Sequence, residues 1–146
     1  MTGGRKVLAI GLVLMVATLV IVTRAAWSGR LESGYVAFNA GEYAEAKHHL
    51  NLIADLGDSK AQQLMSYMCG LGLGQPVDFG EAIYWMRKRA DRSEHRESIG
   101  EQAYFLGAAA VDGLYGVSKK ELGVIWLEIA KFSGVQQASD KLRPDG

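Results

Sequence analysis

Three glycines in the middle of the chain form the run that is closest to a known chemical motif. Gly70, Gly72 and Gly74 alternate with leucines, and loops of the type G-x-G-x-x-G bind phosphates because glycine lets backbone N–H groups approach the ligand. That motif would need a glycine at position 75, where this chain has Gln75, and no strand is predicted before the run. The glycines therefore predict a structural turn.

The histidines do not have the spacing of metal ligands. His48 and His49 are adjacent, so on a helix their side chains point about 100° apart and cannot share a metal as an i, i+4 pair can. His95 lies in a charged segment, away from the other two histidines. All three are predicted to be surface histidines, and the sequence indicates no metal site.

The nucleophiles also lack partners. Cys69 has no histidine in its helical turn to act as a base, which predicts a packed and unreactive thiol. Serine, histidine and aspartate occur, but no Gly-x-Ser-x-Gly elbow accompanies them. The sequence therefore predicts a protein that is not an enzyme, with no catalytic residues and no cofactor.

A basic segment is the first candidate for binding. It contains five basic residues within ten positions, interleaved with acidic ones: Arg87, Lys88, Arg89, Arg92 and Arg96. One interpretation is a solvated helix end with local ion pairs. The other is a contact with an acidic partner or with lipid headgroups, made by an elongated loop.

The distribution of charge divides the chain of 146 residues into two parts. The first 27 residues contain three basic residues and no acid, so the rest, with all 16 acids, is mildly acidic. A mildly acidic domain has no electrostatic footprint for a polyanion, which argues against a nucleic-acid partner. A single cysteine excludes an intrachain disulfide.

An apolar segment near the N-terminus predicts a membrane helix. Residues 7–23 contain no charge over 17 positions, and Trp27 stands where an interfacial aromatic residue is expected. Apolar residues on all sides exclude an amphipathic surface helix. We expect a tip at residues 1–6 and a transmembrane signal anchor at residues 7–27. A cleaved signal peptide is the open alternative.

The basic residues beside the span leave its orientation balanced. Arg5 and Lys6 precede it, and Arg24 and Arg30 follow it. The short basic tip is the ordinary arrangement of a signal anchor with a cytoplasmic N-terminus. This arrangement favours a single-pass inner-membrane protein whose soluble domain faces the bacterial periplasm.

The remainder of the chain contains an internal repeat. A shift of 41 residues places Gly72 on Gly113 and Trp85 on Trp126, and a shift of 36 residues in the other direction relates Ala82 to Ala46. Periods of this length are those of helix-turn-helix solenoids, and no long stretch alternates apolar and polar residues as a strand would. Asp78 has the spacing from Glu81 of an N-terminal capping pair, as Ser118 has from Glu121.

We expect seven helices after the membrane segment: residues 31–40, 43–56, 59–71, 78–89, 97–111, 119–132 and 135–142. They group into a degenerate first repeat at residues 28–58, a second repeat and loop at residues 59–96, and a third repeat at residues 97–134. Residues 135–146 would form a capping helix and tail.

The spacing of small and aromatic residues resembles that of Sel1-like repeats, which are related to tetratricopeptide repeats. The matching positions are Gly72, Gly74, Asp78, Ala82, Trp85 and Ala90 in the second unit and Gly107, Gly113, Trp126 and Ala130 in the third. The third unit departs at Tyr115 and Lys119, where the family has its second glycine and its aspartate. The resemblance implies an all-α fold: an α-solenoid of about three helix-turn-helix repeats preceded by one transmembrane helix.

The resemblance also implies a scaffold or adaptor that binds proteins of a membrane-associated complex. In such solenoids the first helices of the repeats line an inner surface, where we expect Tyr35, Tyr67 and Tyr104, with Asn39, Gln63 and Ala108 beside them. Open alternatives are a permanent accessory subunit of a membrane enzyme, an envelope-polymer hydrolase and a secreted module. The partner and the oligomeric state are not indicated.

Overall fold

A computed structural model of the chain describes residues 3–90, 99–116 and 119–143, with side chains from residue 8 onward. These residues form seven α-helices and one 3-10 turn, and they contain no β-strand. The helices are α1 Gly3–Asn39, α2 Tyr43–Asp55, α3 Ser59–Leu71, α4 Phe79–Ala90, α5 Ile99–Asp112, α6 Lys120–Phe132 and α7 Gln136–Lys141, and the 3-10 turn is Leu114–Gly116. The predicted all-α class is confirmed.

The first helix differs from the expectation. A membrane helix and a separate helix at residues 31–40 were predicted, but α1 runs from Gly3 to Asn39 as one α-helix. The physical reason is that residues 24–30 contain no proline and Gly29 is their only glycine, so nothing interrupts the backbone hydrogen bonds. The apolar segment and the first helix of the domain are therefore one element.

Local signals set the start of α4 and the end of α3. Asp78 accepts a hydrogen bond from the Glu81 N–H at 2.9 Å, which confirms the predicted cap. Gly72 closes α3 in the left-handed conformation, with φ of 66°, which glycine adopts at little cost. The predicted Ser118 cap lies outside the described residues, and Lys119 occupies the N-cap position of α6.

Consecutive helices pack as antiparallel pairs. In the α5–α6 pair, Gly100 lies against Ser133 and Gly107 lies against Gly123 and Leu127, so the start of one helix meets the end of the other. The pairs α1–α2 and α3–α4 are joined by similarly short turns. Contacts of α2 with α3 and of α4 and α3 with α5 join the pairs into one hydrophobic core.

Trp126 links the third pair to the second. Its indole is fully buried, and the indole N–H donates a 2.8 Å hydrogen bond to the carbonyl of Gly70. That carbonyl belongs to the last turn of α3, where carbonyl groups have no partner within the helix. The ring also packs on Phe79, with centroids 5.1 Å apart. Trp126 therefore completes the end of α3 as well as filling the core.

Glycine is required where α5 and α6 cross. A Cβ atom at Gly107 would lie 2.9 Å from the Leu127 amide nitrogen and 3.0 Å from the Gly123 carbonyl oxygen. Both of these neighbours are backbone atoms, which cannot rotate away as a side chain can. The close approach therefore depends on the missing side chain.

Replacing Gly107 by alanine should destabilise the domain by about 1–3 kcal/mol, because the added methyl group forces the two helices apart. The matched control is Gly29→Ala, since a Cβ atom there meets nothing within 4 Å. That change should be neutral or stabilising by up to about 1 kcal/mol. Thermal unfolding of the full chain in detergent, followed by tryptophan fluorescence, compares the two. Equal melting temperatures would contradict the close crossing.

Candidate protein-binding surface

Aromatic side chains from different parts of the chain meet on one face of the domain. We call this the aromatic surface and define it by Tyr35 on α1, Tyr67 on α3, Tyr104 and Phe105 on α5, and Tyr115 in the 3-10 turn. α1, α3 and α5 are the first helices of the three pairs. The face that they line is therefore built from all three pairs.

Tyr67 lies at the centre of the aromatic surface. Its ring stacks on Phe105 with centroids 4.8 Å apart and an interplanar angle of 16°, and it approaches Tyr115 at 6.2 Å. Its hydroxyl accepts a 2.6 Å hydrogen bond from the Gln63 amide. Tyr67 is only 6% exposed, so it lies beneath the more exposed rings of Phe105 and Tyr115 and packs against both.

Tyr115 connects this centre to the first pair. Its ring packs edge-on against Phe38 at 5.4 Å, and its carbonyl accepts a hydrogen bond from the Tyr43 hydroxyl at 3.5 Å. Burial raises the pKa of the Tyr115 hydroxyl, and the neighbouring Tyr35 and Tyr43 act in the same direction. The three tyrosines are therefore close together at the end of α1.

The backbone at Tyr115 is unusual. Its φ of 56° lies in the left-handed region, and it is the one residue other than glycine with positive φ in the part of the chain that the structure describes. A side chain in that region costs about 1–2 kcal/mol. The contacts of its ring with Phe38 and Tyr67 offset this cost, so the aromatic packing holds the turn in place.

Two clefts adjoin the aromatic surface at α5. The first has a volume of about 350 Å³ and is lined by Gln63, Tyr67, Glu101, Gln102, Tyr104 and Phe105. The second, of about 470 Å³, is lined by Tyr104, Val111, Asp112, Gln137, Asp140 and Lys141. Tyr104 borders both clefts. Apolar rings beside amide and carboxylate groups can bind a peptide segment that carries both apolar and polar side chains.

The structure brings together three of the six residues expected on the inner surface, since Gln63, Tyr67 and Tyr104 line the same cleft. Tyr35 lies outside this cleft and neighbours Tyr115, whose ring approaches Tyr67. Sequence reasoning missed Phe105 and Tyr115. Phe105 directly follows Tyr104, and an error of one residue in assigning the helix face rotates that face by about 100°, which is enough to miss Phe105. Tyr115 stands where a Sel1-like pattern has its second glycine, and this departure from the pattern could have pointed to it.

The basic segment has mixed surroundings. Lys88 lies 3.2 Å from the Asp55 carboxylate and over the rings of Tyr84 and Trp85, with its Nζ at 4.8 and 5.0 Å from their centroids. A hydrogen bond with Tyr84 is the main cause that raises the pKa of Lys88, and Asp55 adds to it. Lys88 thus has local partners, as the first interpretation of this segment requires.

Other members of the basic segment do not all share this environment. Arg87 is exposed and Arg89 is half-buried. Arg92 and Arg96 lie outside the described residues. The predicted contact of this segment with an acidic partner or with lipid headgroups stays a prediction, and Arg87 is its exposed member within the described residues.

The other side chains that could bind a metal or act in catalysis do not form a cluster within the described residues. His49 pairs with Glu45 at 3.0 Å, His48 is exposed, and His95 lies outside the described residues. Within residues 8–90, 99–116 and 119–143, no group of three or more His, Cys, Asp and Glu side chains could hold a metal ion.

Cys69 is packed in the core, as its neighbours in the sequence predict. It is fully buried, and burial raises its pKa to about 12, with the Glu81 carboxylate adding to the rise. The amide of Gln75 donates a 3.1 Å hydrogen bond to its sulfur. Its thiol is therefore protonated at neutral pH.

Comparison of the chain with protein-family models, with curated proteins and with solved structures finds no match.

The Cys69 thiol should resist alkylation in the folded protein. With a pKa near 12 instead of the ordinary 9.0, the thiolate fraction at pH 8 falls about a thousandfold, and burial blocks access as well. Iodoacetamide labelling followed by mass spectrometry should therefore modify the chain in guanidinium but not the native protein. Full labelling of the native chain at the denatured rate would show that the core around α3 is open.

Proposed function

We propose that this protein is a membrane-anchored scaffold whose helical domain is a short solenoid of Sel1-like repeats and binds other proteins. Antiparallel helix pairs with short turns support the solenoid. Gly72 and Gly113, which align in the repeat, both follow a helix and have φ of 66° and 73°. Trp85 and Trp126, which also align, are both buried. The second and third pairs thus share structure as well as spacing.

The N-terminal part of α1 supports the anchor. Leu8–Asn39 contains an 18-residue window with mean hydropathy of 2.3, none of it buried in the domain, so the helix is long and apolar enough to cross a membrane. In this proposal the soluble domain faces the periplasm. Confinement to a surface raises the effective concentration of a binding module near membrane partners, so modest affinity is sufficient.

The aromatic surface carries the proposal for binding. Tyr35, Phe105 and Tyr115 keep more than a third of their surface accessible although their rings are apolar. Tyrosine is common at protein interfaces because it combines a rigid apolar ring with a polar hydroxyl. We infer that the partner presents an extended segment with apolar side chains, which lies across α1, α3 and α5.

A photo-crosslinking amino acid at position 105 should capture a discrete partner from native membranes, because Phe105 lies at the edge of the first cleft. The control is position 124, since Val124 is similarly exposed but lies on α6. In chains without the crosslinker, Phe105→Ala should reduce co-purification of the partner identified in this way about tenfold, the effect of losing one well-packed aromatic contact. Val124→Ala should leave recovery unchanged.

Equal recovery with the two alanine variants would contradict binding through the aromatic surface. Loss with Val124→Ala alone would move the interface to α6.

An interface on α6 would favour the alternative function, a permanent accessory subunit of a membrane complex. α6 presents Val124, Ile125 and Phe132 to solvent, and Phe132 is 89% exposed. Such residues are typical of a permanently covered interface. A constant stoichiometric complex after mild detergent extraction, with these residues protected, would support the subunit; a monomer with exchangeable partners supports the scaffold.

A further inference from the structure

The distance between the helical domain and the membrane follows from the continuity of α1. The helix runs without a break from Gly3 to Asn39, and Trp27 and Leu31 on it pack against the core of the domain. No linker separates the apolar segment from the domain. If α1 is the anchor, as in the proposed function, the nearest end of the domain has a definite height above the bilayer.

The packing of α1 on α2 gives that height. Gly34 lies directly against Leu50, and the two helices are antiparallel. Six residues further along α2, Leu56 lies about 9 Å nearer the membrane, and the same distance along α1 from Gly34 leads to Ser28. A span of about 20 residues from position 7 ends at position 26. Leu56 is therefore at the level of the headgroups.

Other helix ends lie at this same level. Lys88 at the end of α4 contacts Asp55 at the end of α2, so the two ends are side by side. α3 begins at Ser59, three residues after Leu56. We call the membrane-proximal end of these elements the basal surface and define it by residues 24–30, 55–60 and 87–89.

The charge of the basal surface is positive. It contains six basic residues, Arg24, Arg30, Lys60, Arg87, Lys88 and Arg89, against two acids, Asp55 and Asp58. Asp55 pairs with Lys88, and Asp58 accepts a hydrogen bond from the Ala61 N–H at 2.9 Å, which caps α3. Lys60 and Arg87 are exposed, and neither is in an ion pair within the described residues.

An exposed leucine accompanies these charges. Leu56 directly follows α2 and is 56% exposed, whereas Leu52, at 51% exposed, lies one turn farther from the membrane. A leucine flanked by exposed Lys and Arg side chains is typical of surfaces that lie in the headgroup layer, where the apolar group faces the acyl boundary and the cations meet phosphate.

We propose that the basal surface lies on the bilayer that holds α1 and binds the headgroups of anionic phospholipids. This inference rests on the proposed membrane anchor. It favours lipid over an acidic protein as the partner of Arg87, because the end of α2, and the basal surface with it, lies at the level of the headgroups. The bound domain would hold the aromatic surface in a set orientation relative to the membrane.

Spin labels on the full chain in lipid nanodiscs test this proposal. Single cysteines replace Leu56 on the basal surface, Leu114 at the opposite end and Met15 in the span. Leu56 and Leu114 are matched in exposure, at 56% and 47%. The native Cys69 is fully buried and stays in place, with the otherwise unchanged chain as the labelling blank. Collision rates with oxygen and with a nickel chelate report the depth of each label.

In nanodiscs that contain phosphatidylglycerol, the label at position 56 should collide with the nickel chelate several-fold less often than the label at position 114. Phosphatidylcholine alone should weaken this protection. The double change Lys60→Glu and Arg87→Glu should raise the collision rate at position 56 towards that at position 114. The charge-matched control, Lys119→Glu with Lys120→Glu at the opposite end, should leave it unchanged.

Equal chelate access at positions 56 and 114 in both lipids, with position 15 in oxygen-rich lipid, would overturn the proposal and leave the anchor intact. Chelate access at position 15 would overturn the anchor, and the basal contact with it. Protection at position 56 that requires native membranes and is absent from nanodiscs would overturn lipid binding in favour of a protein partner.

Discussion

The hydrogen bond from Trp126 to Gly70 is the interaction on which the domain most depends. It joins the last turn of α3 to the middle of α6, so it couples the second helix pair to the third across 56 positions of sequence. The indole needs Gly70 beside it, because a Cβ atom there would lie 3.1 Å from the Trp126 ring and 2.6 Å from Leu106. The small Gly70 and the large indole of Trp126 thus together set the distance between the second and third helix pairs. On the aromatic surface the same two pairs meet where Tyr67 of α3 stacks on Phe105 of α5.

Features that depend on local signals could be predicted from the sequence. α3 begins and ends at the predicted residues, Ser59 and Leu71, because a turn precedes it and glycine follows it. The capping aspartate places the start of α4 within one residue of the prediction. Apolar composition alone identified the N-terminal helix.

Features that depend on contacts between residues far apart in the sequence could not be predicted from it. The continuity of α1 is a separate case, because it depends on the absence of proline between the apolar segment and the domain, and an absence is a weak signal in a sequence. Tyr115 adopts its left-handed conformation because Phe38 and Tyr67 hold its ring, and both are far from it in the chain. Of the site, the three predicted tyrosines were therefore accessible to sequence reasoning, whereas their grouping around Tyr115 required the fold.

If α1 is the proposed membrane anchor, its continuity makes the orientation of the domain sensitive to bilayer thickness. A span that is longer than the local hydrocarbon layer tilts, typically by about 20°. Because Trp27 to Asn39 continues the same rod for about 18 Å, such a tilt displaces its far end sideways by about 6 Å. That displacement is comparable to the width of a tyrosine ring. In a thinner membrane, Tyr35 and Tyr115 would therefore face a different direction from the one they face in a thicker membrane.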